Sequence, residues 1–207
     1  MWSWMSVALA GFVSISANES SKNTQAMAFR AVSFAFLLVI LYQQNNELSS
    51  VQLWVALGLG VSMIADTLYL LKRNHRLCFS CFLIAQVCLS KSFWVQLSGG
   101  VEWWLPAFLL ASGVVAFFLL LPQIDRLIFP VTIMGLVLVQ LAWAAGAVWL
   151  LQSSLLSLIG FIGTLVLILS AVLLAIHDYR RPIVGGRYVV SGAYLLAYSL
   201  ITASAVV

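Results

Sequence analysis

Long apolar segments separated by short polar breaks run through the whole chain. Eight such segments lie at roughly 2–17, 25–43, 50–71, 76–97, 103–121, 127–151, 154–176 and 184–206. A membrane-spanning helix needs about 20 mostly apolar residues, and most of the segments have about this length. The pattern therefore predicts an all-α, polytopic membrane bundle of eight transmembrane helices, in a single domain over residues 1–207. Because the breaks are short, each helix is expected to run antiparallel to the one before it.

Composition supports a membrane location. Hydrophobic residues make up 63% of the chain and charged residues only 8%, whereas ordinary globular domains carry about 25% charged residues. The net charge of +4 comes from cations at segment ends rather than from one soluble patch, so no nucleic-acid partner is expected. The first segment lacks a basic stretch before it and is interpreted as a retained helix, not as a signal peptide.

The positions of lysine and arginine predict the orientation of the bundle. Basic residues follow the first, third, fifth and seventh segments, and the opposite loops contain none. They are Lys22, Lys72, Arg73, Arg76, Arg126, Arg180, Arg181 and Arg187. Since cytoplasmic loops are enriched in lysine and arginine, these loops are predicted to be cytoplasmic. Both termini are then periplasmic, in a bacterial inner membrane.

The third segment contains one carboxylate, Asp66, among apolar or small residues. A charge near the centre of a membrane helix costs roughly 2.5–3.5 kcal/mol on the insertion scale, which makes such a residue a functional candidate. Arg30, in the second segment, is expected at a similar depth. One interpretation is an ion pair that joins two helices. The other is a polar cavity open to the cytoplasmic leaflet, where Asp66 acts on a ligand and Arg30 binds an anionic headgroup.

Further polar residues in apolar segments are candidates for substrate binding in the same cavity. With Arg30 they are Ser62, Gln86, Ser170, Tyr194 and Tyr198. Each of these side chains has an alternative role in a hydrogen bond between helices, worth about 0.6 kcal/mol on average in a membrane. No cofactor or metal is expected, because the chain has no nucleotide or metalloprotease motif and the cysteines lack neighbouring ligands.

The third and seventh segments resemble each other. When Asp66 is set against Ala171, Lys72 falls on His177 and Arg76 on Arg181, so both segments end in a basic cluster at the same offset. This suggests a parallel repeat of four helices plus four, a known way to build membrane folds. The first half then has a carboxylate where the second half has alanine.

With these residues the chain resembles the YhhN family of bacterial membrane proteins, which includes the animal lysoplasmalogenases. The resemblance covers nearly the whole chain, with its eight segments. Gly60–Leu68 matches a family pattern of small residue, serine and aspartate, and Arg30 stands where the family has a lysine. Gly163–Ser170 matches a pattern in the seventh helix, and Tyr194 followed by Leu200–Ile201 matches one in the eighth.

The resemblance implies a fold and a reaction. The reaction is hydrolysis of the vinyl-ether bond of lysoplasmalogen, which yields a fatty aldehyde and a glycerophospho-alcohol. The partners implied are membrane lipids and an amphiphilic, lysolipid-like substrate. Asp66 would be the acid that protonates the enol-ether carbon, and a second carboxylate would stabilise the resulting cation and accept a proton from water.

The chain departs from the family pattern at four positions. Ala171 replaces the second aspartate, Gln86 a histidine, Leu89 a tyrosine, and Tyr198 a glutamine or histidine. Three hypotheses follow. The first is a lysoplasmalogenase-like hydrolase, weakened or inactivated by Ala171. The second is a non-catalytic protein that binds a lipid or other amphiphile, and the third is a small proton-coupled transporter.

Overall fold

The computed structural model describes residues 2–19, 23–43, 49–71, 74–97, 104–120, 128–179 and 185–206. Within these ranges the chain forms eight α-helices and no strand, which confirms the all-α class. The helices are α1 Trp2–Glu19, α2 Asn23–Gln43, α3 Ser50–Leu70, α4 His75–Trp94, α5 Trp104–Leu120, α6 Ile128–Gln152, α7 Leu155–Tyr179 and α8 Gly186–Ser204. Each predicted segment corresponds to one helix, with ends that differ by up to three residues.

Five of these helices are long and apolar enough to cross a membrane. They are α2, α3, α4, α6 and α7, with mean hydropathies between 1.5 and 2.8 over their apolar spans. The apolar parts of the other three are shorter: Trp4–Ala17 in α1, Trp104–Val115 in α5 and Tyr188–Ser204 in α8. The membrane character of the chain is therefore supported by five helices in the described residues.

Local sequence explains where α3 begins. The Ser49 hydroxyl accepts a hydrogen bond from the backbone N–H of Gln52 at 3.3 Å, and the Gln52 side-chain oxygen accepts one from the Ser49 N–H at 3.2 Å. This reciprocal capping box satisfies two backbone donors that the first helical turn leaves without partners. It places the start of α3 sixteen residues before Asp66.

Two helix pairs pack most extensively, α3 against α4 and α7 against α8. α1 contacts α2 and α8, α6 contacts α4 and α7, and α5 lies against α6. The main apolar core draws buried side chains from seven helices, all except α5. They include Phe34, Leu59, Leu89, Leu141 and Tyr198.

A glycine allows α3 and α4 to approach closely. A Cβ atom on Gly58 would lie 2.7 Å from Leu89 Cδ2 and 3.4 Å from the Ala85 carbonyl oxygen. Small residues at such contacts are typical of helix pairs in membranes, where close packing drives association.

Most of the cations that predict the orientation lie outside the described residues. They are Lys22, Lys72, Arg73, Arg126, Arg180 and Arg181.

Candidate functional site

Asp66 of α3 and Arg30 of α2 lie side by side inside the bundle. Asp66 is 4% exposed and Arg30 is 6% exposed. Arg30 Nη1 is 3.8 Å from Asp66 Oδ1. This distance allows an ion pair, but it is longer than the 2.7–2.9 Å of a charge-assisted hydrogen bond. The two helices thus bring together the two charges that sequence analysis singled out.

Both charged groups keep unused hydrogen-bonding capacity. Among the described residues, Arg30 Nε and Asp66 Oδ2 are buried without a hydrogen-bond partner. Buried polar groups are nearly always paired, and an unsatisfied one costs about 1–3 kcal/mol. Two such atoms within one ion pair indicate a place suited to a further polar group.

Tyr194 of α8 completes this arrangement from a third helix. The Arg30 guanidinium carbon lies 5.9 Å from the centre of the Tyr194 ring, within the range of a cation–π contact. The Tyr194 hydroxyl is itself buried without a hydrogen-bond partner among the described residues. Arg30 therefore lies close to both a carboxylate and an aromatic face.

A second polar group of residues joins three helices around Tyr198. The Ser62 hydroxyl of α3 is 2.7 Å from the Tyr198 hydroxyl of α8 and 2.8 Å from the Gly58 carbonyl oxygen. Gln86 of α4 donates from Nε2 to the same Tyr198 oxygen at 3.2 Å. All three side chains are buried, so this network ties α3, α4 and α8 together.

Aromatic rings connect the two polar groups. The Tyr194 and Tyr198 rings are 4.7 Å apart between centres. Phe34 of α2 packs edge-on at 5.3 Å from Tyr198 and 6.3 Å from Tyr194. The ion pair and the Tyr198 network therefore belong to one continuous site.

A narrow cleft between α2 and α3 leads to the ion pair. It is too narrow in this conformation for a water-sized sphere. Four residues of each helix line it: Met27, Arg30, Ala31, Phe34, Met63, Asp66, Thr67 and Leu70. Its wall is thus apolar except at Arg30, Asp66 and Thr67, and a ligand would have to widen it.

Of the six predicted binding residues, only Arg30 lines this cleft. Ser62, Gln86, Tyr194 and Tyr198 belong to the neighbouring groups described above. Ser170 of α7 instead donates to the Val190 carbonyl oxygen of α8 at 3.0 Å. It does not line the cleft, and its hydrogen bond is of the interhelical kind that sequence analysis kept as an alternative.

The cleft contains residues that sequence analysis did not select. Met27 and Phe34 lie three and four residues from Arg30, and Met63 and Leu70 lie three and four residues from Asp66. Residues so spaced share a helix face, so the two charges could have identified these four. Ala31 and Thr67 directly follow the two charged residues. Ala171 is only partly buried, packs against the main core and does not line the cleft. Among the described residues, no group of three or more histidine, cysteine, aspartate or glutamate residues is placed to hold a metal ion.

Comparisons with known proteins agree with the membrane character. The model of the YhhN family matches residues 25–205. Similar proteins from Escherichia coli O6:H1, Escherichia coli O157:H7 and Shigella flexneri are each described as an uncharacterized membrane protein YhhN. Each is 24% identical over 206 residues, which cover 99% of this chain and 98% of the relative. No solved structure matches the chain significantly.

Proposed function

This chain belongs to the YhhN family of membrane proteins, and we propose that it hydrolyses the vinyl-ether bond of lysoplasmalogen-like lipids inside the membrane. The observation that carries the proposal is the position of Asp66. It is a buried carboxylate with one unpartnered oxygen, on the wall of a cleft between two apolar helices. The resemblance to lysoplasmalogenases supplies the substrate class, a single-chain lipid with a phosphate headgroup.

In this proposal all eight helices cross the bilayer. The shortest, α5, has 17 residues, or about 26 Å at 1.5 Å per residue, close to the hydrocarbon thickness of about 30 Å. α1, α5 and α8 also pack against helices of spanning length. With the basic loops in the cytoplasm of a bacterium, the end of α3 near Asp66 faces the inner leaflet of the inner membrane.

We also propose that the bundle is a repeat of four helices plus four, and a pair of glycines supports this. A shift of 105 residues places Gly58 of α3 on Gly163 of α7. A shift of 112 residues places Leu89 of α4 on Ile201 of α8. A Cβ atom on Gly58 would be 2.7 Å from Leu89, and one on Gly163 would be 3.1 Å from Ile201. The two helix pairs thus meet at matching positions.

Matching hydrogen bonds give further support. The Cys78 thiol donates to the Ala65 carbonyl oxygen at 3.4 Å. The same two shifts place Ala65 on Ser170 and Cys78 on Val190, which are also hydrogen-bonded, in the opposite direction. They also place Gln86 on Tyr198, and these two residues contact each other, as residues on a two-fold axis do. The site would then lie beside the axis between the two halves.

A single carboxyl group is enough to balance the protons of the reaction. Protonated Asp66 gives its proton to the enol-ether carbon, and the ether becomes an oxocarbenium ion. The carboxylate left behind stabilises this cation and then takes a proton from the attacking water. The resulting hemiacetal loses its carbon–oxygen bond as a proton moves from its hydroxyl to the departing glycerol oxygen. The products are an aldehyde and an alcohol, and Asp66 again carries its proton, so Ala171 does not interrupt the cycle.

The cleft also suits the two ends of such a lipid. The alkenyl chain would lie along Met27, Phe34, Met63 and Leu70, in contact with the lipid around α2 and α3. The phosphate would meet Arg30, because a guanidinium binds phosphate oxygens with two parallel hydrogen bonds.

The direct test is aldehyde release from a purified lysoplasmalogen in detergent or liposomes. Asp66→Asn removes the only proposed proton donor, so the rate should fall by at least about 100-fold, as is usual for loss of acid–base catalysis. Asp178→Asn, on α7, is the control for removing a carboxylate elsewhere and should keep the rate. If the wild-type protein releases no aldehyde from vinyl-ether lysolipids with ethanolamine or choline headgroups, the proposal is wrong.

A second candidate is non-catalytic lipid binding. One observation favours it: Asp66 is paired with Arg30 at 3.8 Å. A carboxylate in an ion pair does not carry the proton that the proposed acid has to donate. In this case a lipid that co-purifies with the protein should be retained by Asp66→Asn and lost from Arg30→Ala. Turnover of that lipid by the wild-type protein would exclude it.

A further inference from the structure

The Arg30 guanidinium occupies a position built for a cation. Arg30 Nη1 is 3.8 Å from the Asp66 carboxylate. The guanidinium carbon also lies over the Tyr194 ring, 5.9 Å from the ring centre. Both groups attract positive charge, the first by its own charge and the second by the quadrupole of its ring.

The guanidinium is nevertheless held loosely in this position. The ion pair is about 1 Å longer than a charge-assisted hydrogen bond, and Arg30 Nε and Asp66 Oδ2 have no partner among the described residues. A buried ion pair stabilises a protein only if its geometry is good and its remaining atoms are satisfied. Arg30 also lines the cleft that we assign to the lipid. A phosphate there would offer it a better partner than Asp66 does.

We propose that Arg30 in the resting protein holds the place of the cationic reaction intermediate and leaves it when an anionic headgroup binds. The inference rests on the proposed function, since that reaction forms an oxocarbenium ion beside Asp66. Guanidinium and oxocarbenium ions are both planar, delocalised and singly positive. A position that accepts the first therefore suits the second.

Departure of the guanidinium also prepares the acid. An unpaired carboxylate is unfavourable in an apolar site, so Asp66 takes a proton from water once its counter-charge has moved to the phosphate. Protonation of the enol ether then creates a cation between the Asp66 carboxylate and the Tyr194 ring. In this way Tyr194 supplies part of the stabilisation that a second carboxylate gives in the family pattern, and only lipids whose headgroup contains a phosphate or a similar anionic group activate the site.

The first experiment measures coupling in the wild-type protein. Dodecylguanidinium is the cationic probe and sn-glycerol 3-phosphate the anionic one, with sodium sulfate of equal ionic strength as the control. Since Arg30 and the probe compete for one position, glycerol phosphate should tighten dodecylguanidinium binding at least about fivefold, with the reciprocal effect required by linkage. Unchanged or weaker binding overturns the proposal.

The second experiment empties the position by substitution. Arg30→Met should bind dodecylguanidinium about tenfold more tightly than wild type and should lose the coupling to glycerol phosphate. In that background Tyr194→Leu should weaken binding about fivefold or more, whereas Tyr194→Phe keeps the ring face and should stay within about twofold. Equal losses with Phe and Leu would assign the effect to the hydroxyl and overturn the proposal. Arg30→Gln replaces Arg30→Met if the latter does not fold, as judged by gel filtration.

These measurements need no turnover, so they separate the two proposals. Coupling without aldehyde release overturns the hydrolase and leaves the cation position established. Aldehyde release without coupling overturns the role of Arg30 and leaves the hydrolase standing.

Discussion

At the scale of single residues, the polar groups inside this bundle have two different roles. Asp66 and Arg30 line the cleft and keep unpartnered atoms, which suits chemistry or ligand binding. Ser62 and Gln86 are buried and both hydrogen-bonded to Tyr198, which suits structural support, although Gln86 Oε1 has no partner among the described residues. We therefore expect the two groups to respond differently to substitution. Changes at Asp66 or Arg30 should affect ligand binding, and changes in the Tyr198 network should affect stability.

Tyr198→Phe tests the structural role. It removes the hydroxyl that Ser62 and Gln86 contact and leaves both side chains buried with one partner fewer. At about 0.6–1.7 kcal/mol for each hydrogen bond between membrane helices, unfolding should become easier by about 1–2 kcal/mol. For a chain of this size the melting temperature in detergent should fall by about 2–8 °C. Tyr188→Phe is the control, because Tyr188 is exposed on the same helix. Equal melting temperatures for the two variants would contradict the assigned role.

At the scale of helices, the α3–α4 contact depends on the missing side chain of Gly58. In Gly58→Ala the new Cβ would lie 2.7–2.8 Å from two carbons of Leu89, which is itself fully buried. Overpacking of this kind costs about 1–3 kcal/mol, and the better helix propensity of alanine offsets about 1 kcal/mol of it. Gly60→Ala is a matched control two residues away, because nothing lies within 4 Å of its Cβ position. Thermal unfolding should show Gly58→Ala to be the less stable variant, and the reverse order would contradict the packing.

The sequence predicted the helices well for a physical reason. A chain surrounded by lipid satisfies its backbone hydrogen bonds within helices, so hydropathy alone marks where they lie. The ends are less predictable because local turns decide them. α4 ends at Trp94 instead of continuing to residue 97. The N–H groups of Gln96 and Leu97 donate hydrogen bonds to the carbonyl oxygens of Phe93 and Trp94, three residues back instead of the four of an α-helix.

The site was only half predictable. Asp66 and Arg30 stand out because charges are rare in apolar helices, and the structure brings them together. The partners of Tyr198 lie 136 and 112 residues away along the chain, and only the packing of α8 against the other helices decides them. Ser170 was selected by its residue type, but its hydroxyl faces the Val190 carbonyl oxygen. The type of a residue does not show which neighbouring helix its side chain faces. That depends on how the helices pack.

The α2–α3 cleft leads to a prediction about access. Ala31 lines the cleft, and Ala28, almost one turn earlier on α2, is exposed. Ala31→Trp should fill the cleft and reduce lysolipid binding or turnover at least about tenfold. Ala28→Trp adds the same side chain on the outer surface of the helix and should have little effect. Equal effects of the two substitutions on binding, measured with spin-labelled or radioactive lysolipid, would show that access lies elsewhere.

At the scale of the whole molecule, the proposed repeat would make the site asymmetric. Asp66 would have Ala171 as its counterpart across the axis on which Gln86 meets Tyr198. One half then contributes the acid, and α8 of the other half contributes the aromatic face of Tyr194. An isolated half should for this reason have no activity, because neither half contains both groups.

The number of spans decides on which side of the membrane each end of the chain lies. Eight spans put both termini on one side, whereas five spans put them on opposite sides. The basic loops predict the periplasm for both, so alkaline phosphatase fused to either end in a bacterial host should be active. A fluorescent protein that matures only in the cytoplasm should stay dark at both ends. Phosphatase activity at one end only would mean an odd number of spans. No phosphatase activity at either end would mean that the bundle has the opposite orientation in the membrane. Inversion would also move Asp66 to the outer leaflet, and the lipid would then have to reach it from the periplasmic side.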